Sequence, residues 1–142
     1  MVQTPTDDEL ALYLRATRTF ALLAERSAEA EGLTLAQMRL LFTLFDIGAA
    51  SCSAVASRLH VSVSSVTRLI ARPAMTPLVS RRVSSINASA VELALTADGV
   101  ATVRRVTDVR KKLLRAALAD ADPATAAGLR HIVDRLDETI PS

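Results

Sequence analysis

The sequence predicts a mainly α-helical chain with one small β-hairpin, and three observations carry that expectation. Half of the 142 residues are hydrophobic and 23% are charged, so the chain can bury a core. Only four Gly and five Pro interrupt it, while Ala, Leu and Arg dominate, which favours helix over sheet. One stretch alone, between Pro77 and Leu95, changes to β-branched and alternating runs around a polar tip. The length suits one domain, expected over 1–142.

Taken in order, Thr6-Asp7-Asp8-Glu9 has capping-box spacing and opens the first helix. Leu10, Leu14, Thr17 and Ala21 share a stripe that Leu12, Phe20 and Leu23 widen, and Gly32 stops the helix near Glu31. Thr34 caps "LAQMRLLFTLFDIG", whose Leu40, Leu41, Leu44, Phe45 and Ile47 are expected in the core. A short helix, "SAVASRLH", starts at Ser51 or Ser53, and another starts after His60-Val61-Ser62. "PLVSRRV" and "VELAL" form a two-stranded hairpin with Val91, Leu93 and Leu95 on one face. Thr96-Ala97-Asp98-Gly99 opens a long helix to about Ala119. Asp122-Pro123 then starts a last one, ending near Thr139. The helices at both ends carry wide apolar stripes that one small central unit cannot cover. They most economically bury each other across a two-fold dimer.

The two short helices carry the chemistry. A helix pair joined by a tight turn can lay its second member in the major groove of DNA. Ala56 is small where the helices cross. Leu59, Val61 and Val66 are expected to lock the pair, and Leu69 and Ile70 to pin the second helix. His60 must take a left-handed backbone. Ser62 caps the second helix, leaving its first amides for a phosphate. Ser64, Ser65, Thr67 and Arg68 then project as donors for phosphates and base edges. The charge pattern agrees. No acidic residue lies between Asp46 and Glu92, where Arg58, Arg68, Arg72, Arg81 and Arg82 all fall.

"LTLAQMRLLFTLF", "SAVASRLHVSVSSVTRLI", "LVSRRV" and "VELALTADG" occur in the order and spacing of the MarR-type winged helix-turn-helix regulators, and nearly the whole chain resembles them. The resemblance implies a single MarR-like domain over 1–142. Its winged helix-turn-helix core would span 34–95, with dimerisation helices at 6–31 and 97–139. It also implies a homodimeric transcription factor, usually a repressor, on a pseudo-palindromic operator in double-stranded DNA. Release by a small phenolic or other lipophilic effector is implied too. The expected DNA-binding residues are Ser62, Ser64, Ser65, Thr67, Arg68 and Arg72, with Arg81 and Arg82 steadying the wing on phosphates. An effector pocket is expected near Tyr13, Phe20, Phe42 or Phe45.

The sequence departs from the family pattern where DNA would be read. Pro73 stands at an apolar position, lacks an amide proton and clashes one turn back, so the second helix is expected to stop or kink near Arg72. Pro77 stands where the family commonly has Gly. The wing tip is Asn87-Ala88-Ser89, without the family's aspartate–arginine pair, and no cation occurs between Arg82 and Arg104. A second reading therefore stays open: a dimer of this fold that has lost DNA and works through a ligand or protein partner.

Other chemistry is not expected. Cys52 is the only cysteine, which excludes an intrachain disulfide and a Cys-rich metal site, and it is read as a packed, inert thiol. His60 is read as a turn residue and His131 as structural among apolar neighbours. Nothing resembles a catalytic triad or a Gly-rich phosphate loop, so neither enzyme activity, cofactor nor metal is expected. Arg104, Arg105, Arg110, Lys111, Lys112 and Arg115 read as a solvated basic face. No apolar run could cross a bilayer and the N-terminus is acidic, so the protein is expected in the cytoplasm, off the membrane.

Overall fold

Helix starts fall where the sequence places caps. The computed structural model describes residues 3–84, 86 and 90–141, in two compact units, Met1–Arg110 and Lys111–Ser142. In the first unit, helix α1 covers Asp7–Glu29, with Thr6 and Glu9 closing a reciprocal capping box. Helix α2 covers Leu35–Ile47, capped in the same way by Thr34 and Gln37, and Gly48 ends it. Each box satisfies amides that a helix start would otherwise leave without partners.

Helices α3 (Cys52–Leu59) and α4 (Val63–Ile70) follow, with Ser51 and Ser62 as their caps. Between them His60 adopts φ 54° and ψ 44°, the left-handed turn expected of it. That conformation lets the Val61 amide donate back to the Ala56 carbonyl (3.0 Å) and aims α4 across α3. Leu40, Leu41, Met38, Val55, Val66 and Leu93 are buried in one core cluster, with Ala56, Leu59 and Ile70 beside them.

The wing corrects one expectation. Strands β2 (Val79–Val83) and β3 (Val91–Leu95) form the expected hairpin, but the sheet has a third strand, β1 (Ala50–Ser51), in the order β1-β3-β2. Ala50 pairs with Leu93 and Ser51 with Glu92, antiparallel. The wing is thus tied to the start of α3 and cannot swing as a free ribbon. Val91, Leu93 and Leu95 share a face by alternation, yet Val91 is exposed because it lies toward the tip.

Helix α5 (Ala97–Ala117) leaves the sheet at a tight junction. The Thr96 hydroxyl donates to the Pro77 carbonyl (2.6 Å) and accepts from the Gly99 amide (3.0 Å). A Cβ on Gly99 would lie 2.2 Å from the Leu78 carbonyl oxygen, so only glycine lets the helix start against the turn that leads into β2.

The second unit holds the end of α5 and helix α6 (Pro123–Thr139), which begins with Asp122 as cap and Pro123 as its first residue. No residue of α6 is buried. Three sequence expectations fail on exposure. Phe45 faces solvent rather than the core. Val61 is 40% exposed and does not lock the helix pair. His131 is exposed rather than enclosed by apolar neighbours.

Candidate nucleic-acid interface

Recognition would fall to α4, and its sequence divides cleanly into two faces. Val66 and Ile70 are buried and Leu69 is half-buried against the core, three and four residues apart as a helix demands. Ser64 and Arg68 are exposed on the opposite side and Thr67 on its flank, while Val63 is exposed although it continues the apolar stripe one turn before Val66. The Ser62 hydroxyl accepts from the Ser65 amide (3.1 Å) and meets the hydroxyls of Ser64 (3.0 Å) and Ser65 (2.9 Å). Arg68 reaches back to the Ser65 hydroxyl at 3.4 Å. The Thr67 hydroxyl donates to the Val63 carbonyl (3.1 Å). The structure therefore brings Ser62, Ser64, Ser65, Thr67 and Arg68 together along the solvent side of α4, from its cap to its last turn.

Pro73 acts as expected. Helix α4 ends at Ile70 with Ala71 as its cap, and the chain then makes turns through 71–78. Arg72 lies in those turns, exposed, beyond the last helical residue. Met75 is fully buried inside the loop, and its carbonyl accepts from the amides of Leu78 and Val79. The short helix is thus followed by a loop pinned into the core.

On the wing, Arg81 and Arg82 are both exposed, but neighbouring strand residues point to opposite faces. Arg82 stands opposite Glu92 and pairs with it at 3.7 Å. Glu92 also accepts a hydrogen bond from the Ser84 hydroxyl (3.1 Å). One of the two wing arginines is thus partly neutralised, a pairing that the sequence reading missed. Asn87, Ala88 and Ser89, the expected wing tip, lie outside the described residues.

The basic stretch of α5 is not a uniform solvated face. Arg105 binds both carboxylate oxygens of Glu31, at 2.9 and 3.0 Å. That bond holds the Glu31 carboxyl below the ordinary carboxylate range, against a smaller opposing effect of burial. Arg110 donates to the Ser27 hydroxyl (2.8 Å) and the Ala24 carbonyl (3.2 Å), and its guanidinium lies 4.9 Å from the centroid of the Phe42 ring. Burial lowers its pKa. Both residues sew α5 onto the C-terminal end of α1.

Of the four aromatics, Phe42 is thus half-buried and occupied by Arg110, whereas Tyr13 and Phe20 on α1 and Phe45 on α2 are exposed. An open cavity of about 390 Å³ lies instead in the second unit, lined by Lys111, Leu114, Arg115 and Leu118. Cys52 is half-buried against the core. Among the described residues no group of His, Cys, Asp and Glu is placed to hold a metal ion, and no helix is long and apolar enough to cross a membrane.

Residues 33–85 match the model of the MarR family, which takes in α2 to β2. The chain has no match among curated proteins. Its fold is that of several solved structures. RV1404 from Mycobacterium tuberculosis shares it with a TM-score of 0.83 at 23% identity, over 100% of this chain and 99% of the other. Wild-type MarR from E. coli in its apo form aligns with a TM-score of 0.72 at 15% identity, over 95% and 98%. BpsR from Bordetella bronchiseptica, whose DNA binding is regulated by 6-hydroxynicotinic acid, aligns with a TM-score of 0.68 at 21% identity, over 89% and 96%.

Proposed function

We propose that this is a MarR-family winged helix-turn-helix protein that regulates transcription by binding DNA, a homodimeric cytoplasmic repressor on a pseudo-palindromic operator, a reading supported by the match of residues 33–85. The observation that carries the reading is the outer face of α4. Arg68 and the hydroxyls around Ser62 are held together along the exposed side of a helix whose other face is locked into the core. Such a helix can enter a major groove without rearranging its support. Ser62, Ser64, Ser65, Thr67 and Arg68 would meet the groove and its flanking phosphates, with Arg72, Arg81 and Arg82 beside them.

The dimer is supported by apolar residues that each unit leaves uncovered. Leu10, Leu14 and Phe20 on α1 are exposed, and so are Leu129, Val133, Leu136 and Ile140 on or after α6. Exposed apolar stripes of this kind mark association surfaces. A single-domain reading over 1–142 rests on the same assembly. Regulation by a small lipophilic or phenolic effector is supported by the behaviour of BpsR, with Tyr13, Phe20, Phe42 and Phe45 as the side chains offered.

Three observations favour a second reading, a dimer that has given up DNA. The recognition helix stops at Ile70, Arg82 is paired, and the sequence puts no cation between Arg82 and Arg104. Fluorescence anisotropy with duplexes tiling the gene's upstream region decides between them. The repressor reading expects tight, competitor-resistant binding to one duplex and a log–log salt slope of several units, roughly 0.9 per phosphate contacted. Equal weak binding to all duplexes, or none by a folded dimer, supports the second reading.

A further inference from the structure

The core grips α4 along one stripe, Val66, Leu69 and Ile70, and a stripe leaves an eight-residue helix able to roll about its line of contact. A second anchor must fix the roll, and the segment after the helix supplies it. The Arg72 amide donates to the Leu69 carbonyl (3.4 Å), and the Met75 amide to the Arg72 carbonyl (2.9 Å). The Met75 carbonyl accepts from the amides of Leu78 (2.9 Å) and Val79 (3.0 Å), while its side chain is fully buried. Pro73 and Pro77 stiffen the segment, because each fixes its own φ. The series of bonds ends on Thr96. Its amide donates to the Leu78 carbonyl (3.0 Å), and its hydroxyl to the Pro77 carbonyl (2.6 Å). The same hydroxyl accepts from the Gly99 amide (3.0 Å) at the start of α5. Helix α5 is in turn fastened to α1 by Arg105 and Arg110, and α1 carries Leu10, Leu14 and Phe20 of the proposed dimer surface.

We infer that Thr96 is a positioning residue, whose hydroxyl bond to Pro77 holds α4 at a fixed attitude to α5 and so sets the half-site spacing that the dimer accepts. The inference rests on the DNA-binding and dimer readings above. The hydroxyl has two roles that chemistry can separate. As an acceptor it caps α5, which is a local stabilising role. As a donor it ties α5 to a segment 19 positions earlier, which fixes geometry between the recognition helix and the helix fastened to α1. A two-fold dimer reads two half-sites about one helical turn apart. Each added base pair turns one half-site against the other by about 35° and moves it by about 3.4 Å. A recognition helix at fixed attitude cannot follow that change, and a loosened one can.

The test uses the full-length protein and the duplex it prefers from a random pool, with versions whose central spacer is one base pair longer or shorter. Anisotropy gives the affinity ratio between spacers for wild type, Thr96→Asp and Thr96→Ser. The aspartate keeps an acceptor for the Gly99 amide but has no proton for the Pro77 carbonyl, whereas serine keeps both. The wild type should lose about tenfold or more on either spacer change, and Thr96→Asp about threefold or less. Thr96→Ser should match the wild type. The ratio is read within each variant, so a general loss of affinity or of folded protein does not move it. Should Thr96→Asp fail to fold, Thr96→Val, of nearly the same shape, takes its place. If the donor-free variant keeps the wild-type ratio, Thr96 is a helix cap only. If the wild type tolerates every spacer, nothing in the protein sets the spacing. Either result overturns the inference and leaves DNA binding standing. If the pool yields no preferred duplex, the DNA-binding reading itself falls, and this inference with it.

Discussion

Two groups of arginines in the first unit have opposite fates. On α5, Arg105 is bound at both ends of the Glu31 carboxylate, and Arg110 is wedged between Ser27, the Ala24 carbonyl and the Phe42 ring. On α4 and in the turns after it, Arg68 and Arg72 are exposed, and among the described residues neither forms an ion pair. Both groups look alike in the sequence, as cations spaced along helices. The α5 pair serves cohesion, because its charge is already answered within the protein. Arg68 and Arg72, with no ion pair among the described residues, have their charges available to an outside anion. A basic run therefore says little about a partner until its internal acceptors are known.

The largest expected effect tests the free group. Arg68→Ala should weaken binding to the preferred duplex roughly 10- to 100-fold and relax the base preference at one position per half-site. Thermal stability should stay within about 0.5 kcal/mol, since the side chain leaves only a 3.4 Å contact with Ser65. Anisotropy titrations with single-base variants read both outcomes. Unchanged base preference would place Arg68 on phosphates only.

The held group should show the reverse pattern. Arg110→Ala removes two hydrogen bonds and the cation over Phe42, and should destabilise by about 2 kcal/mol. At temperatures where the variant is folded, its salt slope for DNA should match the wild type. A shallower slope by about one unit would mean that Arg110 leaves its internal site to meet a phosphate, and the contrast between the two groups would break.

Glu31 sharpens the same contrast through pH. Its folded pKa lies below the ordinary value of 4.5, chiefly through the Arg105 hydrogen bond. Depression of a carboxyl's folded pKa stabilises the protein above the unfolded value, and the gain disappears as pH falls through the folded one. Melting curves of wild type and Glu31→Gln should thus differ by about one to two degrees at neutral pH, and converge as pH drops below 4.5. A gap that persists in acid would assign the stabilisation to packing instead of charge.

The fold was legible wherever its cause is local. Thr6 with Glu9, Thr34 with Gln37, His60 in its left-handed turn and the stop before Pro73 all act within a few residues, so the sequence displays them directly. Pairings across distance were not legible. Strand β1 has two residues, too few to leave a period, and its partners Leu93 and Glu92 lie some forty positions on. Arg105 meets Glu31 across 74 positions, and Arg110 meets Ser27 across 83, in a register that helix periodicity does not encode. Val61 departs from the expected burial for a related reason. Its backbone closes the turn, and its side chain is left outside, where the apolar pattern alone predicts burial.

The smallest effect concerns Arg82, which belongs to neither group cleanly. It is largely exposed like Arg68, yet Glu92 sits across the strand at 3.7 Å. An exposed pair of this kind contributes between nothing and about 1 kcal/mol to stability. Its larger consequence would be electrostatic, because Glu92 is the acid that ends the otherwise acid-free stretch from Asp46. Glu92→Gln keeps an acceptor for the Ser84 hydroxyl and removes the charge. If Arg82 faces a phosphate when the protein is bound, freeing it should raise DNA affinity about threefold at low salt, with the gain fading as salt screens it. The salt slope should steepen by up to about one unit. Equal affinity and slope in the variant would move Arg82 to the held group, as the residue that fastens β2 to β3, and would leave Arg81 as the wing's remaining free cation among the described residues.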